Sequence, residues 1–476
     1  MGKDEDDRAM ESPLLTSESG SSKFKLYKSR WLMLTLVSLL QISNAMIWIG
    51  FAPIISIARE YFNTNTTMID FQSIIFMIVS IPFGFAGTWC LNTLGLRKSL
   101  VLASWLNGIG GIVRWVGVFL PSPHAKLALV TVGQGIAACS QPIFLDSPTL
   151  LAATWFGEHE RAEANMIASV ANPVGIAVGS LLSGLLVSEA GDIKWMLLIN
   201  AALSLVISLL VTVLFKDRPP TPPSHSAEEA HLSFVDGLKQ LIRIPAYWAL
   251  LVGFGIGIGL VSSLSSLFGQ FTEAYGYSSD DAGYMSMAMV VAGLVGAGLS
   301  GYLLDKTGAF LVIFKVCYLG ATGGVVLFMF MNKADNLAWL IVACAVTGFF
   351  AFAALPVGLE LSVECTFPVH EGLSAGLIWI FAQATSIVII FSSNALRGEA
   401  RYFNGTHPIP QPPPPGPTPD PDIHTYYEYP HAIQLCVGFT AVATLITLFL
   451  RTEYKRKNSE AAYNDAHKQA AVQQKE

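Results

Sequence analysis

The chain has 476 residues, of which 52% are hydrophobic and only 13% are charged, and its mean hydropathy is +0.51. Soluble domains carry about 25% charged residues, so the composition excludes an ordinary water-soluble domain and predicts an integral protein of the lipid bilayer. The net charge of −6 gives no reason to expect a nucleic-acid partner.

Apolar segments of about 20 residues, the length that crosses a bilayer core of about 30 Å, recur along the chain. They predict an all-α membrane protein with twelve transmembrane helices. The predicted spans are 31–55, 71–91, 99–119, 127–145, 164–187, 195–214, 247–270, 283–304, 310–331, 337–358, 373–394 and 431–450.

A polar, proline-rich stretch from Lys216 to His231 separates spans six and seven. Proline lacks the amide donor that a helix needs, so this stretch predicts a linker between two six-helix halves. Both tails are expected to be disordered. The predicted organisation is a cytosolic N-tail at 1–30, an N-terminal half at 31–214, a cytosolic linker at 215–245, a C-terminal half at 246–450 and a cytosolic C-tail at 451–476.

Two segments outside the spans have a predicted conformation. The loop between spans eleven and twelve carries the run Pro412–Pro415, which favours extended polyproline or disorder. Apolar residues at helical spacing within the linker predict a short amphipathic helix on the membrane surface. These residues are Phe234, Val235, Leu238, Leu241 and Ile242.

Lysine and arginine predict the orientation, because cytoplasmic loops retain them. With the N-terminus inside, the inner segments hold 21 of these residues and the outer loops six, and Arg114 lies within span three. Two glycosylation acceptors agree, since Asn65 and Asn404 each begin an Asn-x-Thr sequence in a loop predicted to be outside. In the N-tail, Leu14 and Leu15 approach a dileucine sorting signal without its usual acidic spacing, so the plasma membrane is favoured over the endolysosomal membrane.

Two loops resemble the signature Gly-x-x-x-Asp-x-x-Gly of the major facilitator superfamily, which lies between the second and third helices of each half. After span eight, residues 301–308 match it fully, with Asp305 at the acidic position. After span two, Thr88 and Asn92 replace the glycine and the aspartate, and Arg97 follows. The resemblance implies the major facilitator fold and alternating access, with Asn92, Arg97 and Asp305 at the inner gate.

Finer motifs resemble solute carrier family 49, the relatives of the feline leukaemia virus subgroup C receptors. They are Ser43-Asn44-Ala45 with Trp48 in span one, 153–156 before span five, 172–175 within it and 360–368 at the end of span ten. The resemblance covers most of the chain and implies a transporter. Proteins of this family are associated with the movement of choline, ethanolamine, haem or pyridoxine.

The family resemblance also implies a solute site near the bilayer midplane. Trp48 matches the tryptophan whose ring meets the quaternary ammonium in choline-moving relatives, a cation–π attraction that reaches about 2 kcal/mol; an interfacial tryptophan is the alternative. Gln383 in span eleven matches a substrate-contacting glutamine, and a helix–helix hydrogen bond is its alternative. Asn44 and Asn172 belong to the matched motifs and are further candidates.

Two positions depart from the choline-moving relatives. Their glutamine in span five falls on Pro173 and their tyrosine in span seven on Ser262. The site therefore lacks one amide and one aromatic ring of the relatives' ammonium cage. Pro173 interrupts the helical hydrogen bonds and frees a carbonyl that is a candidate to line the cavity.

Charged residues in or beside the spans suggest further roles. Arg114 is a candidate to neutralise an anion such as a haem propionate, although an outward, snorkelling side chain is favoured. Glu360 and Glu364 share one face of span ten, where a gating ion pair or an interfacial charge is favoured over a proton relay. The remaining acids at the predicted span ends are Asp70, Asp146 and Asp305.

No cluster of His, Cys or carboxylate residues has catalytic or metal-binding spacing, so we expect no enzyme activity, no metal and no cofactor. The sequence predicts a monomeric carrier of a small organic solute, with a choline- or ethanolamine-like cation ranked ahead of haem. A transporter-like receptor or sensor that moves no solute is the alternative from another class.

The charge distribution predicts that Asn65 and Asn404 face the same, non-cytosolic side. Each of Asn65→Gln and Asn404→Gln should therefore remove one glycan, seen as a mobility shift that glycosidase treatment abolishes in the parent. A tag inserted in the linker that antibodies reach from outside intact cells would contradict this topology.

Overall fold

The computed structural model describes residues 24–158, 160–224, 233–277, 279–396, 398–404, 407–409 and 423–473. Within these ranges, twelve helices are long and apolar enough to cross a membrane. The all-α membrane fold predicted from the sequence is therefore confirmed. The dileucine-like sequence of the N-tail, Pro412–Pro415 and the linker residues 225–232 lie outside the described residues.

The first half contains six membrane crossings, one of which is built from two consecutive helices, α5 and α6. A short helix, α2, follows the first crossing at the end of the bundle away from the tails. The helices are α1 (Ser29–Ile49), α2 (Ile55–Phe62), α3 (Thr66–Leu94), α4 (Leu96–Gly117), α5 (Pro123–Ala138), α6 (Gln141–Trp155), α7 (Arg161–Leu186) and α8 (Ile193–Leu214).

The second half follows the linker and also crosses the membrane six times, in helices α10 to α15. Its helices are α9 (Phe234–Ile242), α10 (Pro245–Glu273), α11 (Ser279–Thr307), α12 (Phe310–Met331), α13 (Leu337–Thr366), α14 (Glu371–Ala395), α15 (Pro430–Phe449) and α16 (Lys455–Gln473). Three short strands lie between α14 and α15. They are β1 (Ala400–Asn404), β2 (His407–Ile409) and β3 (Ile423–Tyr427), paired antiparallel in the order β2-β1-β3.

The two halves repeat one packing scheme. In the first half α1 packs on α7 and α4 on α8, and in the second half α10 packs on α14 and α12 on α15. Glycines allow the close approach at equivalent places. A methyl group on Gly175 of α7 would lie 2.6 Å from the carbonyl oxygen of Ile42, and one on Gly259 of α10 would lie 2.6 Å from that of Ala382. Small residues of this kind let helices pack closely within a bilayer.

The halves meet through two symmetric contacts, α14 against α3 and α6, and α7 against α11 and α13. We call the end of the bundle that carries both tails the inner end, and the opposite end the outer end. The inner end corresponds to the predicted cytosolic side. At the outer end, the Asn65 side chain caps α3 by accepting a hydrogen bond of 2.9 Å from the backbone N–H of Met68.

The structure corrects several expectations about the segments around the spans. The C-tail is not disordered, because α16 occupies Lys455–Gln473, and the N-tail packs against the linker through a hydrogen bond between Tyr27 and Thr221. The loop after α14 contains three strands. The linker helix α9 is present, but it packs Leu241 into the second half instead of lying only on the membrane surface.

The fourth crossing is longer than predicted. It runs to Trp155 instead of ending at residue 145, since α6 continues through Pro148. Asp146 therefore does not lie at the end of a span, as the sequence suggested. It lies inside α6, where its side chain is buried.

The packing of α11 against α13 gives a test of the fold. A methyl group on Gly296 would collide with the backbone carbonyl of Phe349, whereas one on Gly298, one half-turn along α11, has no atom within 4 Å. We expect Gly296→Ala to destabilise the protein by about 1–3 kcal/mol, the usual cost of overpacking. Thermal denaturation in detergent should show a lower Tm for Gly296→Ala.

Gly298→Ala is the matched control, because it adds the same methyl group to the same helix in open space. It should leave Tm unchanged or raise it slightly, since alanine favours helix over glycine. Equal Tm values for the two variants would contradict the close packing of α11 on α13.

Candidate functional site

Buried ion pairs close the inner end of the molecule. Arg456 of α16 inserts between Glu360 and Glu364 of α13, and all three side chains are at most 4% exposed. The Arg456 Nε donates to Glu364 Oε1 at 2.7 Å, and its Nη2 donates to Glu360. Burial alone would lower the pKa of Arg456, but the charges of Glu364 and Glu360 outweigh it and raise that pKa, so Arg456 stays charged.

The same carboxylates connect to the first half. Asn165 of α7 donates to Glu360 Oε2 at 3.2 Å, and Arg161, at the start of α7, pairs with Glu460 of α16 at 3.3 Å. Arg161 also donates to the hydroxyl of Ser224 in the linker at 2.8 Å. One polar network therefore joins α7, α13, the linker and the C-tail helix at the inner end.

The two signature loops contribute differently to this end. The carboxylate of Asp305, near the end of α11, faces the backbone N–H groups of Ala162 and Glu163 in the first turn of α7, where the helix dipole favours a negative charge. Arg97 contacts its own half and the linker: its backbone N–H donates to Asp217 at 2.8 Å and its guanidinium to the carbonyl of Thr212. Asn92 lies in the last turn of α3.

A small cavity lies between the two halves, on the outer side of the ion-pair network. Helices α3 and α6 of the first half and α14 of the second half form its walls. Three polar or aromatic side chains line it: the carboxylate of Asp146, the indole of Trp379 and the primary amide of Gln383. Its remaining lining residues are Ser80, Gly84, Pro142, Leu145, Gly376 and Ile380.

The cavity is tightly closed in this conformation. Its central free space is about 10 Å³, enough for one water molecule. On its outer side Ser386 of α14 contacts the sulfur of Met77 of α3 at 3.7 Å.

The sequence-predicted solute residues are not all brought together. Gln383 lines the cavity, and its amide has no hydrogen-bond partner among the described residues. Trp48 lies nearer the outer end, where its indole N–H donates to the carbonyl of Ser73 at 3.1 Å and its half-buried ring packs beside Phe76. Trp48 and Gln383 are thus separated by the contact between Met77 and Ser386.

The other four candidates have different surroundings. Asn44 is fully buried inside the first half, where its amide donates to Asn107 at 2.9 Å and to Ser140 at 3.1 Å. Its donors are therefore used in helix packing in this conformation. Pro173 is buried within α7, while Asn172 and Ser262 are half-buried and have no side-chain hydrogen bond in the described part of the molecule.

The sequence favoured an outward, snorkelling side chain for Arg114, and the structure contradicts this expectation. Its side chain is fully buried in the first half, and its guanidinium carbon lies 5.1 Å from the centre of the Phe51 ring. It does not line the cavity between the halves.

Sequence analysis missed three residues of this region. Arg456 belongs to a tail expected to be disordered, although the segment is rich in alanine and lysine, which favour helix. Asp146 was expected at the end of span four, because that span was predicted to end at residue 145, whereas α6 continues to Trp155. Trp379, whose buried indole N–H has no partner in the described residues, gave no signal that separated it from a packing residue.

Comparison with known proteins agrees with this architecture. Residues 37–390 match the family model described as Major Facilitator Superfamily. Solute carrier family 49 member A3 of Danio rerio is 34% identical over 472 residues, covering 96% of this chain and 97% of that protein. Choline/ethanolamine transporter flvcr2a of Danio rerio is 32% identical over 384 residues, covering 78% of this chain and 81% of that protein.

The fold is also seen in solved structures. The crystal structure of FucP, a Major Facilitator Superfamily transporter in the outward conformation, superposes with a TM-score of 0.65 at 15% identity, covering 89% of this chain and all of that one. A likeness at this identity shows the shared fold. The chain is therefore a transporter of the Major Facilitator Superfamily and, within it, belongs to solute carrier family 49.

Proposed function

We propose that this protein carries a small organic cation, of the choline or ethanolamine kind, by alternating access across the membrane. The observation that carries the proposal is the lining of the cavity between the halves. Asp146 offers a negative charge, Trp379 an aromatic ring and Gln383 an amide, and none of the described lining residues is basic.

These three groups suit an ammonium group in different ways. A carboxylate in a desolvated cavity attracts a cation strongly, since little water screens the charge. An indole ring adds cation–π attraction of about 0.5–2 kcal/mol, and the Gln383 amide is available to orient a hydroxyl or an amine. Because the cavity is closed here, the solute would enter when the halves move apart.

The relatives support the same class of solute. The similar protein of Danio rerio is named as a choline/ethanolamine transporter. Pro173 and Ser262 stand where the choline-moving relatives have a glutamine and a tyrosine, so the cage differs from theirs. We infer that Asp146 and Trp379 supply part of the cation binding that the glutamine and tyrosine provide in those relatives. Both residues lie on the inner side of Trp48.

Haem is the weaker alternative. Its propionates call for basic groups, and Arg114 is packed inside the first half, away from the cavity. A sensor that binds solute without moving it is a second alternative. Counterflow in proteoliposomes separates a sensor from a transporter, because a sensor binds labelled choline and exchanges none.

Replacement of the cavity tryptophan tests the cation site. Trp379→Ala should raise the KM for labelled choline or ethanolamine by up to about 30-fold, which corresponds to about 2 kcal/mol of lost cation–π attraction. The KM of Trp379→Phe should lie between those of the parent and Trp379→Ala, because a phenyl ring attracts a cation less strongly than an indole ring does. Uptake into proteoliposomes provides KM and kcat for each variant.

Trp195→Ala is the matched control, since Trp195 of α8 is 55% exposed on the outside of the bundle. It should leave KM unchanged. If Trp379→Ala keeps the parental KM while Trp48→Ala raises it, the solute binds near Trp48 and the cavity assignment is wrong. If the parent transports neither cation, the proposed solute class is wrong.

We further propose that Arg456 forms an inner gate with Glu360 and Glu364. The pairing is buried, so breaking it leaves uncompensated carboxylates at a cost of about 3–5 kcal/mol. The same network holds Asn165 and Arg161 of α7, so its loss should free the two halves from each other at the inner end. Asp305 of α11, which faces the first turn of α7, stabilises the same closed contact.

Removal of the arginine tests this gate. Arg456→Ala should increase hydrogen–deuterium exchange in α16 and in the first turns of α7. Arg451→Ala, which removes an exposed arginine of the same tail, should leave exchange unchanged. Parental protection in Arg456→Ala would contradict a gate that depends on this ion pair.

For its cellular setting, we propose a monomer in the plasma membrane, with both tails in the cytosol. Surface biotinylation of the tagged protein tests the membrane, and light scattering in detergent tests the monomer.

A further inference from the structure

The side chain of Asp146 is buried between the two halves with half of its hydrogen-bonding capacity unused. It is 1% exposed, in the middle of α6. Its Oδ2 lies 3.0 Å from the hydroxyl oxygen of Thr88, on α3, whose single proton is also within reach of the Gly84 carbonyl oxygen at 2.8 Å. Its Oδ1 has no hydrogen-bond partner in the described part of the chain. Thr88 is the residue that replaces the glycine of the signature in the first half.

The opposite half supplies the cover over this carboxylate. A methyl group on Gly376 of α14 would lie 2.6 Å from Asp146 Oδ2 and would collide with the Thr88 hydroxyl. The backbone of α14 therefore rests directly on the carboxylate, as only a glycine permits. Since α14 belongs to the second half, Asp146 loses its contact with water when the halves close at the inner end and regains it when they open.

The surrounding charges do not neutralise Asp146. Tyr247 of α10 is close enough to interact with its charge, and the Tyr247 hydroxyl donates to the carbonyl of Ser374. None of the charged or titratable groups on the helices packed against α6 forms an ion pair with Asp146 in the described residues. These groups are Arg30 on α1; Asp70 and Cys90 on α3; Arg97, Lys98 and Arg114 on α4; Arg161 and Glu163 on α7; Cys344, Glu360, Glu364 and Cys365 on α13; and Glu371 on α14.

An ionised carboxylate is unfavourable in this position. Removing an unpaired ion from water is costly even after the protein relaxes, and the Thr88 hydroxyl supplies at most one neutral hydrogen bond, for which the Gly84 carbonyl competes. The free space beside Asp146 admits one water molecule, so an organic cation does not fit while the halves are closed. A proton fits, because it adds no volume and converts the carboxylate into a neutral acid.

We propose that Asp146 is a proton-binding site that couples pH on the inner side to closure of the inner end. Closing α14 onto α6 in the absence of solute takes up one proton, and opening releases it to the inner aqueous phase. The closed conformation is therefore favoured as the inner pH falls and is lost as it rises. The proposal goes beyond the identity of the solute and does not depend on it.

The distance between the halves at the inner end is the direct measurement. Lys98, at the start of α4, and Lys306, at the end of α11, are both exposed and belong to different halves. Spin labels are attached to Lys98→Cys and Lys306→Cys, with Cys90 and Cys139 replaced by serine. Double electron–electron resonance then measures the distance between the labels and so the populations of closed and open molecules. The measurement uses the full chain in nanodiscs, without solute, between pH 5.5 and 8.5.

In the parent, the ratio of closed to open molecules should rise as pH falls, by at most about tenfold per pH unit, the limit for one proton. Asp146→Asn mimics the neutral acid and should be mostly closed throughout, with a flat pH response. Thr88→Val removes the only donor to the ionised carboxylate among the described residues and should shift the response to higher pH. Gly376→Ala should favour the open form at every pH, because its methyl group meets Asp146 and Thr88.

Asp335→Asn is the matched control. Asp335 is an exposed outer-loop residue with a φ of 62°, a conformation that asparagine also tolerates, and its replacement should preserve the parental response. A parental response in Asp146→Asn would assign the titration to inner-end carboxylates such as Glu360 or Asp305 and overturn the proposal. A parent without a pH response would overturn it too, as would closure driven by Na⁺ or K⁺ at constant pH.

Discussion

The close approach of helix backbones at glycine is the constraint on which the rest of the structure depends. Inside a bilayer, helices gain little by hiding apolar side chains from lipid, so they associate through tight packing. Gly175 and Gly259 allow it at equivalent places within the two halves, and Gly376 allows it between them. The first two build rigid six-helix units, and the third lets α14 rest on a polar site of the opposite unit.

Charge is distributed unequally between the closed inner end and the cavity. At the inner end every buried carboxylate of α13 has a cationic partner in Arg456, so the closed state gains from pairing. In the cavity Asp146 has one neutral hydrogen bond and no cationic partner among the described residues. The ion pairs of Arg456 hold the halves together. The unpaired carboxylate of Asp146 instead favours binding of a positive charge, which we propose is a proton in the closed conformation and an organic cation in the open one.

The two signature loops occupy equivalent places in the two halves but make different contacts. In the second half Asp305 meets the first turn of α7, as a conformational latch requires. In the first half Asn92 stands at the acidic position, and the buried pair Thr88 and Asp146 lies against Gly376 of the second half.

The sequence by itself determined the fold, the twelve spans and the family, because these depend on local patterns: segment length, hydrophobicity and short motifs. It also placed Gln383 near mid-membrane and Glu360 and Glu364 on one helix face. Tertiary structure alone decided which side chains meet. Arg456 reaches Glu360 across about a hundred residues of chain, and Asp146, Trp379 and Gln383 converge from helices of different halves. Such contacts are set by helix packing, and neither residue spacing nor composition records which helices will pack together.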